Sequence, residues 1–135
     1  MIYSYEITVP AGTTTAAPLV TELKLTKGVV HRFSLRFYPG PAREVYVSIR
    51  QGVHQVWPTN PEGVFRGDDD RLDFDEYLEL SASANTLKMY TWSPSATYDH
   101  AIALRIGLIE NEAGLFILKV LGGLQKFLQL MRVPV

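Results

Sequence analysis

The chain contains no cysteine. That removes thiol catalysis, disulfide staples and cysteine-ligated zinc together. Charge of one sign is also missing: 13 Lys and Arg stand against 14 Asp and Glu, for a net charge of −1. A general nucleic-acid binder neutralises phosphates with a basic excess, so this balance argues against one. No apolar run is long enough to cross a bilayer. The most apolar stretch, residues 115–131, is broken by Lys119, Gly122, Gly123, Gln125, Lys126 and Gln129, which makes it too polar for a spanning helix. The opening Met-Ile-Tyr-Ser-Tyr-Glu has neither a basic n-region nor an apolar h-region, so no signal peptide is expected. Phosphate-cradling glycine loops and dinucleotide fingerprints are absent. No Gly-x-Ser-x-Gly elbow accompanies Asp99-His100, so a nucleophilic triad has no support. His31, His54 and His100 show no His-x-His or His-x-x-x-His spacing. The expectation is a protein that is not an enzyme and takes no cofactor.

What is present is a β-rich pattern. Hydrophobic residues alternate over 2–9, 19–26, 29–38, 44–50, 53–57, 71–82, 86–92 and 100–109, and the gaps are rich in Gly, Pro, Asn and Ser. Period-two alternation is the mark of a half-buried strand. In the clearest segment His31, Phe33, Leu35 and Phe37 share one face, and Arg32, Ser34 and Arg36 the other. Near the end Ile102, Leu104, Ile106 and Leu108 oppose Ala101, Ala103, Arg105 and Gly107. A bulge is expected before Tyr77. About eight short strands with regularly spaced turns predict a mainly β fold, an antiparallel β-sandwich of jelly-roll type, over residues 1–110.

The tail, 111–135, reads differently. Asn111 can cap a helix, Glu112 suits its first turn, and Pro134 ends it. At 100° per residue, Phe116, Ile117, Val120, Leu121, Leu124, Phe127, Leu128 and Met131 fall on one broad arc. A sandwich closes its core with its own two sheets. An added amphipathic helix must hide its apolar arc on the parent domain, on a neighbouring subunit or on a membrane surface, the last disfavoured because Lys119, Lys126 and Arg132 are few basic groups for an interfacial anchor; the arc is the candidate interaction or packing element. Gly122-Gly123 costs the helix roughly 1–2 kcal/mol against two alanines.

Two further clusters are candidates for ligand chemistry. Eight of the 14 acids lie between Glu62 and Glu79, and Asp68, Asp69, Asp70 and Asp73 offer the oxygen ligands that Ca²⁺ requires. The acid and glycine spacing of a helix-loop-helix calcium site is absent. A solvated loop leading into an edge strand, where charge blocks edge-to-edge pairing, is the commoner origin of such a run. Trp57, Tyr90, Trp92 and Tyr98 are candidates for a sugar-stacking surface, although tryptophans at strand ends more often cap a core.

Four segments together resemble a family of short, largely uncharacterised proteins of tailed phages and prophage regions. They are Tyr5-Glu-Ile-Thr-Val-Pro-Ala-Gly-Thr13, His54-Gln-Val-Trp-Pro-Thr-Asn-Pro-Glu-Gly63, Asp75-Glu-Tyr-Leu-Glu-Leu80 and Tyr98-Asp-His-Ala-Ile-Ala-Leu-Arg-Ile-Gly107. The resemblance implies a virion-associated β-domain, a capsid decoration, cement or minor head protein. The resemblance spans residues 1–109 and implies a capsid or other shell protein as partner and a location in the virion after assembly in the host cytoplasm; the apolar helix arc adds the expectation of homo-oligomers, and the charge balance that of no nucleic-acid ligand. It carries no active site. The competing expectation is a carbohydrate- or receptor-binding sandwich, with the acidic loop holding Ca²⁺.

Overall fold

The computed structural model describes residues 1–81, 86–110 and 112–130; at 112–118 and 128 the description is of backbone alone. Eight strands and a helix follow in order: β1 (Ile2–Val9), β2 (Leu19–Lys24), β3 (Gly28–Phe37), β4 (Tyr46–Gln51), β5 (His54–Trp57), β6 (Asp70–Leu80), β7 (Thr86–Trp92), β8 (His100–Ile109) and α1 (Glu112–Leu130). They form two four-stranded sheets, ordered β1-β8-β3-β6 and β2-β7-β4-β5. Every pairing is antiparallel. Apart from the β4–β5 hairpin, each successive strand lies in the opposite sheet. The Asn111 cap, Met131 and Pro134 lie outside the described residues.

The inner faces are those that the alternation predicts. Ile102, Leu104, Ile106 and Leu108 of β8 are fully buried, as are Leu87 and Met89 of β7 and Val47 and Ile49 of β4. The two sheets meet at an aromatic cluster. Phe33 of β3 lies with its ring centre 4.9 Å from Trp57 of β5, 5.7 Å from Phe65 and 6.1 Å from Phe74 of β6. Phe65 belongs to the loop before β6 and exchanges backbone hydrogen bonds with Val47, which pins that loop to the sheet.

The β3 alternation departs from expectation at His31. The register of β3 shifts between Val30 and Arg32 against both neighbours. Val29 and Val30 are therefore buried in succession, and His31 is only partly buried. It does not share the core face of Phe33, Leu35 and Phe37 and packs over Gly107 instead. An irregularity of this kind re-aims the side chain beside it. On β6 the same shift falls between Asp75 and Leu78, where the bulge before Tyr77 is expected.

Two glycines have positional reasons. Gly52 turns the β4–β5 hairpin with φ of 61°, a conformation that costs other residues more. Gly28 opens β3 against the end of β8; a Cβ there would lie 2.5 Å from the Ile109 carbonyl oxygen. The Pro58–Gly63 loop is gathered around the Gln55 side chain. The Gln55 amide nitrogen lies 2.8, 2.9 and 2.9 Å from the carbonyl oxygens of Pro58, Asn60 and Gly63, which share its two N–H donors.

The buried core cluster runs from Ile7 to Leu108, and among the described residues it includes no helix side chain. Among the described side chains, the sandwich core is built by the strands and their loops alone. No helix among the described residues is long and apolar enough to cross a membrane.

Candidate functional site

Three surfaces carry groups that the core does not use. The first is α1. Val120, Leu121, Leu124 and Phe127 are 49% to 56% exposed, and Leu130 is 83% exposed. These are four of the eight residues expected on the apolar arc, plus Leu130, an apolar residue outside it. Phe116, Ile117 and Leu128 have side chains outside the description. Among the described side chains, an ion pair joins helix to sandwich: Lys119 Nζ lies 3.9 Å from Glu79 Oε1, with both side chains more than half exposed. Ion pairs of that exposure contribute about 0–1 kcal/mol.

The second surface is the outer face of the β1-β8-β3-β6 sheet, where register sets out a grid. Ile2, Gly107, Arg32 and Asp75 form one row. Ser4, Arg105, Ser34 and Asp73 form the next, and Glu6, Ala103, Arg36 and Arg71 the third. Short residues in the two central strands make a floor, and arginines rise around it. A depression of about 220 Å³ is lined by Ser34, Arg36, Tyr38, Arg71, Ala103 and Arg105. A second of the same volume adjoins it, sharing Ser34, Arg71 and Arg105 and adding Ile2, His31, Asp73 and Gly107 among others.

The electrostatics of this face are uneven. Arg36 Nη2 lies 3.0 Å from Asp69 Oδ1, Arg71 Nε 2.9 Å from Asp73 Oδ2, and Arg32 Nη1 3.4 Å from Asp75 Oδ1. Arg105 has no carboxylate partner among the described residues. Arg36 and Arg71 stand directly opposite each other across β3 and β6, a like-charge pairing that is unfavourable by itself. The Asp73 carboxyl is held below its ordinary range, first by the hydrogen bond from Ser34 and then by Arg71 and Arg32, against opposing desolvation.

The third surface is the outer face of the other sheet. Tyr46 and Trp92 stack with ring planes 1° apart and centres 5.7 Å apart. The Arg66 guanidinium covers Tyr46 at 4.4 Å, and that of Arg50 covers Tyr90 at 4.7 Å. Ser48, the cross-strand partner of Tyr90, is fully buried. Among the described residues its Oγ is the buried side-chain polar atom without a hydrogen-bond partner. An unmet buried hydroxyl costs about 1–3 kcal/mol. Ser48→Ala is therefore expected to leave the fold unchanged and raise Tm by several degrees. A thermal melt showing a fall in Tm would mean that the hydroxyl is satisfied in solution.

The sequence-derived candidates separate on this frame. Trp57 is 5% exposed, belongs to the core, and donates Nε1–H to Glu76 Oε2 at 2.9 Å. It cannot join a surface platform. Tyr90 and Trp92 share one face, but each already carries a stacking partner. Tyr98 is 74% exposed in the loop between β7 and β8. The acids disperse as well. Asp68 accepts from the backbone of Gly40 and Ala42, Asp69 pairs with Arg36, Asp73 pairs with Arg71, and Asp70 opens the exposed end of β6. Among the described residues no three metal-ligating side chains gather. The acidic run instead becomes the loop and edge strand of a sheet, with its charge spent on arginines and backbone amides. The Arg36, Arg71 and Arg105 group was not foreseen, because its members come from three strands. The sequence signal was the outward-facing half of two alternating segments.

No protein-family model matches this chain, and no curated protein does. Among solved structures it is similar to the Yersinia pseudotuberculosis-derived mitogen, with 8% identity and a TM-score of 0.41 over 83% of this chain and 89% of that one. It is also similar to the Tobacco streak virus coat protein, with 10% identity and a TM-score of 0.35 over 81% of this chain and 91% of that one. Both likenesses are distant.

Proposed function

We propose that this chain is a structural virion protein, a capsid decoration, cement or minor head protein that assembles on a larger shell through its β-domain and C-terminal helix. One observation carries the reading: α1 leaves Val120, Leu121, Leu124 and Phe127 about half exposed, and no described helix side chain belongs to the sandwich core. An apolar helix stretch of that kind marks an interaction surface. Its occupant is first a second copy of the chain, since each copy brings an identical stretch and symmetric association hides both at once. The jelly-roll reading of the β-domain is supported by the strand order, in which successive strands alternate between sheets except at one hairpin. The shell is supported by the tailed-phage resemblance of the segments within residues 5–107. Sedimentation velocity and mass photometry of the full chain are expected to show discrete oligomers that grow in population with concentration. A chain that stays monomeric throughout and has no affinity for a capsid shell removes the reading.

A further inference from the structure

We infer that the outer face of the β1-β8-β3-β6 sheet binds an acidic sugar, with the sugar's carboxylate or sulfate seated among Arg36, Arg71 and Arg105. The site is independent of α1 and of any shell. Three arginines from three strands line one depression over a floor made by Ser34 and Ala103. The planar guanidinium fork matches carboxylate and sulfate oxygens two at a time. Two of these arginines oppose each other directly; each meets an aspartate through one nitrogen and keeps further N–H donors for an oxyanion between them. Arg105 is exposed and lacks a carboxylate partner among the described residues, so its donors are available.

The neighbours narrow the ligand. Asp69, Asp73 and Asp75 stand on the same face. Those carboxylates repel a polyanion such as nucleic acid or an acidic peptide, but they accept hydrogen bonds from hydroxyl groups. Asp73, whose carboxyl is held below its ordinary range by Ser34 and then by Arg71 and Arg32, is one such acceptor. A ligand with one negative group and many hydroxyls satisfies both sets at once. The two adjoining depressions share Ser34, Arg71 and Arg105, which fits two linked sugar units, the charged one among the three arginines. Ile2 and His31 at the far depression give the second unit an apolar edge and a ring nitrogen.

The test is titration of the full chain, followed by calorimetry and amide NMR, with a uronate-containing disaccharide as the probe. A neutral disaccharide, inorganic sulfate and a glutamate-rich peptide are run beside it. Saturable binding of the acidic disaccharide is expected, weakening as salt rises, with shifts centred on Ser34, Ala103 and Arg105. Sulfate is expected to bind about tenfold more weakly, and the neutral sugar and peptide more weakly still. Arg105→Gln is expected to reduce affinity about tenfold without changing Tm, and Arg105→Lys to restore only part of it, because the charge returns without the fork. Equal binding of the neutral sugar, tighter binding of the peptide, sulfate as tight as the disaccharide, an unchanged Arg105→Gln, or no saturable binding each overturns the inference. None of these outcomes bears on oligomer formation, which is read separately.

Discussion

Phe33→Ala is expected to be the most damaging single change in the sandwich, lowering stability by about 3–5 kcal/mol. Phe33 is 1% exposed and reaches across the core to Trp57 of the other sheet, with Phe65 and Phe74 also around its ring. Truncation leaves a void that cannot collapse, because Trp57 is fixed by its hydrogen bond to Glu76 and Phe65 by its backbone exchange with Val47. A loss of that size is a large share of the roughly 5–15 kcal/mol that holds a typical domain, and Tm is expected to fall by roughly 15 °C. Phe74→Ala is the control. Phe74 belongs to the same cluster but sits on the sheet-edge strand β6 and is partly exposed, so its loss is expected to cost clearly less. Chemical denaturation of both variants decides the matter. Equal costs would mean that the cluster is not centred on Phe33.

The second large effect concerns association rather than folding. Replacing Leu121, Leu124 and Phe127 together with serine is expected to leave the thermal melt of the β-domain within a degree or two of the parent and to abolish oligomers. Each large apolar side chain buried on association contributes roughly 1.5–3 kcal/mol. Removing three is therefore expected to weaken self-association by about a thousandfold or more. The melt and the sedimentation profile must be read together. A triple variant that melts far below the parent would assign α1 to its own domain's core. One that still forms oligomers would move the interface to the sheets.

The strands were legible because burial here follows period two with few exceptions. The observed bounds of β1, β7 and β8 coincide with the alternating segments 2–9, 86–92 and 100–109. The acidic run reads correctly as a loop and an edge strand, since so many carboxylates along one segment suit neither an interior strand nor a core. Local pattern gave no access to three things. Alternation sets His31 beside Phe33 because it assumes an unbroken register, and only the pairing with β6 and β8 reveals the shift. Trp57 has the composition of a surface aromatic and the neighbours of a core one. The arginine grid depends on register between strands dozens of residues apart, and one segment's periodicity holds no information about another's alignment.

The place of β8 has a consequence for how the molecule is made. It is the last of the eight strands, yet it sits inside its sheet, hydrogen-bonded to β1 on one side and β3 on the other. Ile2 pairs with Gly107, and Phe37 with Ile102. Pairings of such long sequence separation are closed slowly, on millisecond-to-second scales. At about 5–20 residues per second, the ribosome needs roughly 5–20 s to travel from β1 to β8. From the completion of β3, Phe33, Leu35 and Phe37 have both flanks of their strand open until β6 is made, and the flank that β8 fills stays open for roughly 3–13 s. The period of greatest aggregation risk therefore belongs to the nascent chain, at a strand edge that the finished protein no longer has. Chaperone capture during synthesis is expected to centre on β3 and to end when β8 slides into place.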